Sequence, residues 1–451
     1  MGQGGHITLV NGTRYDWNRT YIHQYQMNSW SFPDCIQAGT SIVVYVEWDG
    51  DVFSSTSDDA GEATYTLGET DLNFQVQARA SSGFTLQIAF ENLATPGNPQ
   101  GSILNLGWNH DGYVNFILSG QEGNFTSSNL PTSWMQDNLT ILGSRSLRQI
   151  CIPGSHDAGM SVRASSTVGA FDCNTLTQTM SILDQLQAGV RYFDVRPVIS
   201  AGEFLTGHYG HILGDLTWQG ANGQSIESVI NDVNAYTAQN NELVILYLSH
   251  DLNTDLGNNS YAPLAQESWN KLLSKLTEIN HLFHASSSMT DDLTKLTLSD
   301  FIGNNCAAVI VVVDADGSGI SLGDYANQGF YSKSNFPVYN EYSDTNDLDQ
   351  MIDGKDKGQL TKMKEQRTDR GASYFLLSWT LTQNTLQAAT CRISPASSIL
   401  DLANTANPQL YVRLLPACSN QCYPNILYID NVQSSDIVAM AMAVNSKAIW
   451  L

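Results

Sequence analysis

The chain has 451 residues, more than one hydrophobic core usually fills, so two domains are expected. Hydrophobic residues make up 42% and aromatics 10%, ordinary for a globular protein, while only 14% are charged and Asn, Ser, Thr and Gln supply most of the polarity. Acidic residues (44) outnumber Lys plus Arg (21), and the formal charge of −23 has the wrong sign for a nucleic-acid partner or for holding an anionic bilayer by charge alone.

No run of about 18 apolar residues occurs, so no transmembrane segment is expected. The start Met1-Gly2-Gln3-Gly4-Gly5-His6 has no apolar signal core, and His6 stands where a myristoylation signal carries Ser or Thr. Sequons at Asn11, Asn18, Asn124, Asn138 and Asn258 lean toward a secreted chain whose signal has been removed, with a cytoplasmic location left open. Cys35, Cys151, Cys173, Cys306, Cys391, Cys418 and Cys422 show no Cys-x-x-Cys spacing, and their odd number leaves at least one thiol without an intramolecular bridge.

Residues 7–10, 41–48, 63–67, 74–78, 84–90 and 114–118 read as short strands between turn formers. Asn73-Phe74-Gln75-Val76-Gln77-Ala78 alternates apolar and polar side chains, as a half-buried strand does. Regular strands with no helical period predict an all-β sandwich-like accessory domain over residues 1–120. Residues 120–132 are rich in turn formers and carry little to bury, which places a linker at 121–140.

After Trp134, apolar strands alternate with helical segments: strands at 149–152, 190–195, 243–248, 307–313, 374–377, 410–414 and 426–429, a helix from Ile226 behind a Ser225 cap, and another over 434–448. The continuously apolar Leu243-Val244-Ile245-Leu246-Tyr247-Leu248 needs cover on both faces, as parallel strands do. No Gly-x-Gly-x-x-Gly turn follows any strand, so residues 141–451 are expected to form an α/β fold of the TIM-type (β/α)8 barrel class, with chemistry at the carboxyl ends of its strands.

Those ends are informative. The first is Pro153-Gly154-Ser155-His156-Asp157, and the second is Phe193-Asp194-Val195-Arg196, where alternation puts Asp194 and Arg196 on one face. Thr206-Gly207-His208-Tyr209-Gly210 follows, and the last strand ends in Asp430. An internal hydroxyl attacking a phosphodiester needs a base for its own proton and an acid for the leaving alkoxide, tasks that histidine performs near neutral pH. Each imidazole needs a carboxylate to fix its tautomer, and a cation must offset charge on the phosphoryl oxygens.

The stretches around His156, Arg196 and His208 resemble the X-type catalytic domain of phosphatidylinositol-specific phospholipases C, in the bacterial and fungal form, over residues 141–451. The resemblance implies His156 as general base for the inositol 2-hydroxyl, His208 as general acid for the diacylglycerol oxygen and Arg196 as phosphate clamp, with Asp157 supporting the acid, Asp430 orienting the base and Asp194 completing the polar floor. It implies release of diacylglycerol and a cyclic inositol phosphate from a phospholipid at a membrane or micelle surface. Metal-dependent relatives carry acidic calcium ligands where Arg196 stands, so no obligatory metal or other cofactor is expected, and no protein partner is implied.

Bacterial members hold the inositol with basic residues after the third and fourth strands, where this chain has Ser249-His250-Asp251 and Val313-Asp314-Ala315. Ser249, Asn340 and Tyr342 remain as candidate substrate-binding residues. His211 is the alternative to His208 as the acid, and otherwise His211, His250 and His284 read as structural. Arg191 and Asp251 stand either near the site or in solvent, and Trp218, Trp269 and Trp379 read as core. Two further readings stay open: a phosphodiesterase of the same fold for another phospholipid, sphingolipid or glycosylated phosphoinositide, and a catalytically idle lipid-binding protein.

Overall fold

The computed structural model describes residues 3–49, 56–212, 217–286, 289, 291–316, 319–394 and 397–449. They form two compact units: one of Met1–Pro131, Pro408–Tyr423 and Ser435–Leu451, the other of Thr132–Asn407 and Pro424–Ser434.

The strands of the first unit, all within its N-terminal segment, form a sandwich of two sheets. Thr126–Ser127, Tyr113–Gly120, Gln3–Thr13, Thr40–Trp48 and Met27–Trp30 make one sheet. Cys35–Ile36, Trp17–Tyr25, Ala60–Leu67, Asn73–Arg79, Thr85–Ala89 and Ile103–Gly107 make the other. Alternation drives their packing: Phe74, Val76 and Ala78 are fully buried while the residues between them are not. Trp17, Trp48, Tyr65, Phe74 and Phe116 dominate the shared core.

Two expectations about this unit are corrected. The segment expected as a linker at 121–140 is ordered: its Thr126, Ser127 and Ser128 are buried, because Ser119 and Thr126 hydroxyls bond each other at 2.7 Å and the Asn98 amide donates to Ser127 Oγ at 2.9 Å. Polar side chains that satisfy one another can be buried without apolar content. The other correction concerns the barrel domain expected over 141–451, since residues 408–423 and 435–451 belong with the sandwich. The helix Asp436–Lys447 packs on the strands Gln3–Thr13 and Tyr113–Gly120. Gly12 permits the approach, since a Cβ there would fall 2.7 Å from that of Ala443.

The second unit is the expected TIM-type barrel. Its parallel strands run in chain order around the sheet: Ile152–Ser155, Tyr192–Val195, Leu243–Leu248, Ala308–Val313, Phe330–Ser332, Val338–Tyr339, Tyr374–Trp379 and Ile426–Ile429, the last pairing with the first. The ladder is open between Phe330–Ser332 and Val338–Tyr339. Leu243–Leu248 and Ala308–Val313 are buried at every position, as strands covered on both faces must be. The helix Ile226–Thr237 starts as expected, with Ser225 Oγ accepting from Ser228 N.

Residues 410–414, expected as a strand, lie inside the helix Ile399–Ala417. Leu410, Tyr411, Leu414 and Leu415 are buried at helical spacing, and an apolar run this short does not distinguish the two periods. The two short strands around residues 330 and 338 escaped the sequence reading because three and two residues are too few to show a period. Arg191 is neither in solvent nor at the site: it is fully buried against Glu242 (2.8 Å) and donates to the carbonyls of Leu186 and Val190. Asn11 and Asn138 are buried too, so their sequons present no surface amide.

Candidate active site

The first barrel strand ends in Ser155, and the next residue, His156, is held by its backbone N–H on Ile429 O (3.0 Å) and by the Gln178 amide on its carbonyl (2.9 Å). Gly154 allows this strand to lie close to the last one, since a Cβ would meet Ile426 Cγ2 at 2.5 Å. Asp157 then takes a left-handed conformation (φ 42°) that turns the chain sharply. Its N–H donates to Asp194 Oδ2 (3.1 Å) and Ala158 N–H to Asp194 O (2.7 Å), so the second strand fixes the first loop.

Two histidine–carboxylate pairs result. His156 Nδ1 is 2.6 Å from Asp430 Oδ1, and His208 Nδ1 is 2.7 Å from Asp157 Oδ2. His208 sits on Glu203–Ile212, which forms a long antiparallel hairpin with Thr217–Ser225. Arg196 lies between the pairs. Its Nη2 donates to His156 Nε2 (2.8 Å), its Nη1 is 3.5 Å from Asp157 Oδ2 and its Nε donates to Asp194 Oδ2 (3.1 Å). An imidazole that accepts at Nε2 carries its proton at Nδ1, directed to Asp430.

The electrostatics follow from these contacts. Burial disfavours charge on His156, as does Arg196, but the Asp430 carboxylate outweighs both and holds the imidazole above its ordinary value. Burial would raise Asp194, yet Arg196, His156 and the Tyr428 hydroxyl hold it well below the usual carboxylate range. Desolvation works against Arg196, but Asp194 and Asp157 keep it charged beyond its ordinary affinity for the proton.

A cavity of about 950 Å³ opens over this cluster. Its wall includes His156, Asp194, Arg196, His208 and Asp430, and also Ser249, Asn340 and Tyr342, so it brings together every candidate except Asp157, which is wholly buried behind it. Ser249 commits its hydroxyl proton to Asp194 Oδ1 at 2.7 Å. Tyr342 is 59% exposed at the mouth. Among the described residues, no group of three or more His, Cys, Asp or Glu side chains is arranged to hold a metal ion.

No protein-family model matches the chain. It is 29% identical over 130 residues to a PI-PLC X-box domain-containing protein of Dictyostelium discoideum, covering 26% of this chain and 16% of that protein. It is 24% identical over 246 residues to a 1-phosphatidylinositol phosphodiesterase of Staphylococcus aureus strain Newman, covering 53% of this chain and 70% of the relative. The chain is thus similar in sequence to PI-PLC X-box proteins, spanning about a sixth of the length of the first of them. Among solved structures, it is similar to a phosphatidylinositol-specific phospholipase C from Staphylococcus aureus (18% identity, TM-score 0.45, covering 70% of this chain and 96% of that one). It is also similar to one from Listeria monocytogenes (16% identity, TM-score 0.43, covering 70% and 99%).

Several residues of this site were not singled out from the sequence. Tyr428 donates its hydroxyl to Asp194 Oδ2 at 2.6 Å and packs edge-on against His156. Its position two residues before Asp430 puts it on the same face of the last strand, a signal that alternation carries. Asn407 holds the Asp430 carbonyl at 2.9 Å, a contact between distant segments that leaves no local pattern. His211 and His250, read as structural, both line the cavity: His211 lies against Trp218 with ring centroids 3.8 Å apart, and His250 faces Asp316 at 3.4 Å. Asp251 is buried, accepting from Leu264 N, Trp269 Nε1 and Asp316 N, and so pins the loops beside it.

Proposed function

We propose that the barrel cleaves a phosphodiester as a phospholipase C, with phosphatidylinositol as substrate and diacylglycerol and a cyclic inositol phosphate as products. The supporting observation is the bridging of two His–Asp pairs by one guanidinium. The hydroxyl next to the phosphate attacks phosphorus while His156 Nε2, unprotonated because the ring proton sits on Nδ1 and is donated to Asp430, takes its proton. Arg196 moves its Nη2 hydrogen bond from His156 to the phosphoryl oxygens, where its charge offsets what builds up in the transition state. As the bond from phosphorus to the glycerol oxygen breaks, imidazolium His208, steadied by Asp157, protonates the departing alkoxide. The pair is left with its roles exchanged, so water attacking the cyclic product with His208 as base restores the starting state. Arg196 supplies the positive charge at phosphorus, and turnover is expected to persist in the presence of a chelator.

A second reading keeps the chemistry and changes the headgroup. Arg196 is the only Lys or Arg among the described residues that line the cavity, while His250, Asp251 and Asp316 line the ends of the third and fourth strands. This wall lacks the cations that hold inositol in the bacterial members. Phosphatidylinositol, a glycosylated phosphoinositide, phosphatidylcholine and sphingomyelin, each offered in mixed micelles with chelator present, separate the readings. Turnover of phosphatidylinositol and silence on the choline lipids, with no release by His156→Ala, is the expected result. Turnover confined to another lipid replaces inositol in the assignment, and silence on all of them removes the enzymatic reading.

A further inference from the structure

The six-stranded sheet of the sandwich turns a hydrogen-bonded amide face away from the core. Register puts Tyr21 opposite Thr64 and His23 opposite Glu62, Thr64 and Glu62 opposite Gln75 and Gln77, and Gln77 opposite Gln87, so these side chains share one side of the sheet. The side chains between them, among them Ala63, Tyr65, Val76 and Ile88, are fully buried in the core. Across the outer side the amides form a chain: Gln87 Nε2 donates to Gln77 Oε1 (2.7 Å), Gln77 Nε2 to Gln75 Oε1 (2.6 Å) and Gln75 Nε2 to Thr64 Oγ1 (2.8 Å). A primary amide has two donors and two acceptor positions, so each link fixes its direction and leaves hydrogen-bonding capacity over. Beside this ladder, Glu62 pairs with Arg79 at 2.8 Å. Along the strand Trp17–Tyr25, Tyr21 and Tyr25, each 50% exposed, and His23 form an aromatic row, the Tyr21 and His23 rings lying 6.4 Å apart and within 20° of parallel.

We propose that this face binds an uncharged oligosaccharide chain, with Tyr21, His23 and Tyr25 as the platform for its sugar rings and the Gln75, Gln77 and Gln87 amides as the partners of its hydroxyls. A sugar ring presents C–H groups on its faces and hydroxyls around its edge. Aromatic rings take up the first, and amides, which both donate and accept, take up the second. Residues two apart on a strand are about 6.8 Å apart along it, so three aromatic side chains in a row make a track as long as a short oligosaccharide. Because the ladder already holds the amides in one direction, little ordering is left for the ligand to impose. Charge decides against the other occupants. The chain carries −23 and Glu62 takes up the charge of Arg79, so an anionic polymer or a lipid phosphate finds no attraction at the ladder. A protein partner fits less well, since the centre of this face is amide where the core of a protein interface is apolar. The site lies on the sandwich and is independent of the chemistry proposed for the barrel.

The test is native affinity electrophoresis of the full chain through gels containing laminarin, hydroxyethyl cellulose, starch, mannan or xylan, with dextran sulfate as the anionic control. At least one neutral polysaccharide retards the wild type, added salt does not release it, and dextran sulfate has no effect. Y21A/Y25A loses about 10- to 100-fold in affinity for that polysaccharide, roughly up to tenfold for each ring withdrawn. Q77A, which breaks the ladder at its middle, loses about tenfold. Both variants keep the wild-type thermal midpoint, because the altered side chains lie outside the core. A wild type that no neutral polysaccharide retards overturns the proposal, as does retardation that both variants retain. A wild-type dimer in sedimentation velocity that Y21A/Y25A splits, with no polysaccharide bound, also overturns it and gives the face to a second copy of the chain. Silence of the barrel on every phosphodiester defeats the enzymatic reading alone and leaves polysaccharide binding in place.

Discussion

Asp157 is wholly buried, and its Oδ2 lies 2.7 Å from His208 Nδ1 and 3.5 Å from Arg196 Nη1. One carboxylate thereby supports the proposed acid and anchors the cation beside the proposed base. His211, the other candidate for the acid, lies instead against Trp218.

Asp157→Asn separates these functions from folding. Asn tolerates the left-handed backbone and keeps the size of the side chain, but it no longer stabilises an imidazolium. The expected result is a fall in kcat of about 10²- to 10⁴-fold with KM for a monomeric substrate nearly unchanged. A rise in KM with kcat preserved assigns Asp157 to binding instead.

The pH profile carries the signature of His156. Because Asp430 holds its pKa above the ordinary 6.5 against burial and Arg196, the acid limb of kcat/KM lies above that value, and activity falls as pH drops through it. Asp430→Asn removes the carboxylate, so the limb moves to lower pH as the maximal rate falls. The same pair gives folding stability that is fully present below pH ~6.5 and is lost as pH rises through the raised value. A limb that stays in place in the variant detaches His156 from the rate.

Arg196→Lys tests the clamp. Lysine keeps the charge but cannot reach Asp194, Asp157 and the phosphoryl oxygens with one planar fork. A loss of about 10²- to 10³-fold in kcat is expected. Activity within a few fold of wild type reduces Arg196 to a structural ion-pair partner.

Much of this was legible in the sequence, and the limits have physical causes. The ends of the first two strands announce themselves because Gly154 and alternating Asp194 and Arg196 are local patterns. His208 is less secure from sequence, since it lies on a hairpin whose register against Thr217–Ser225 decides which side chain faces the barrel. The strand expected at 410–414 failed because Leu410, Tyr411, Leu414 and Leu415 satisfy a helix as well as a buried strand. The C-terminal helix reads from chain order as part of the barrel, whereas it packs on the strands Gln3–Thr13 and Tyr113–Gly120, an approach that Gly12 facing Ala443 permits but that leaves no local pattern. Seven cysteines likewise hid one bridge, between residues 218 apart.

Tyr428 and Asp194 give a stability prediction. Asp194 is held below its usual range, so it contributes stability present above pH ~4 and lost as pH falls toward its depressed value. Tyr428→Phe removes a 2.6 Å hydrogen bond to that buried carboxylate. A loss of about 1.5–3 kcal/mol in denaturant titrations is expected, with acid unfolding moved to higher pH. An unchanged acid midpoint contradicts this role.

The most direct measurement is phosphorus NMR of the water-soluble products formed from phosphatidylinositol micelles in chelator, with His156→Ala as control. A cyclic inositol phosphate that appears first, is converted only later to the acyclic phosphate and is absent with the variant is the expected result. An acyclic phosphate as the first product, or a cyclic one that persists without His156, contradicts intramolecular attack with His156 as base.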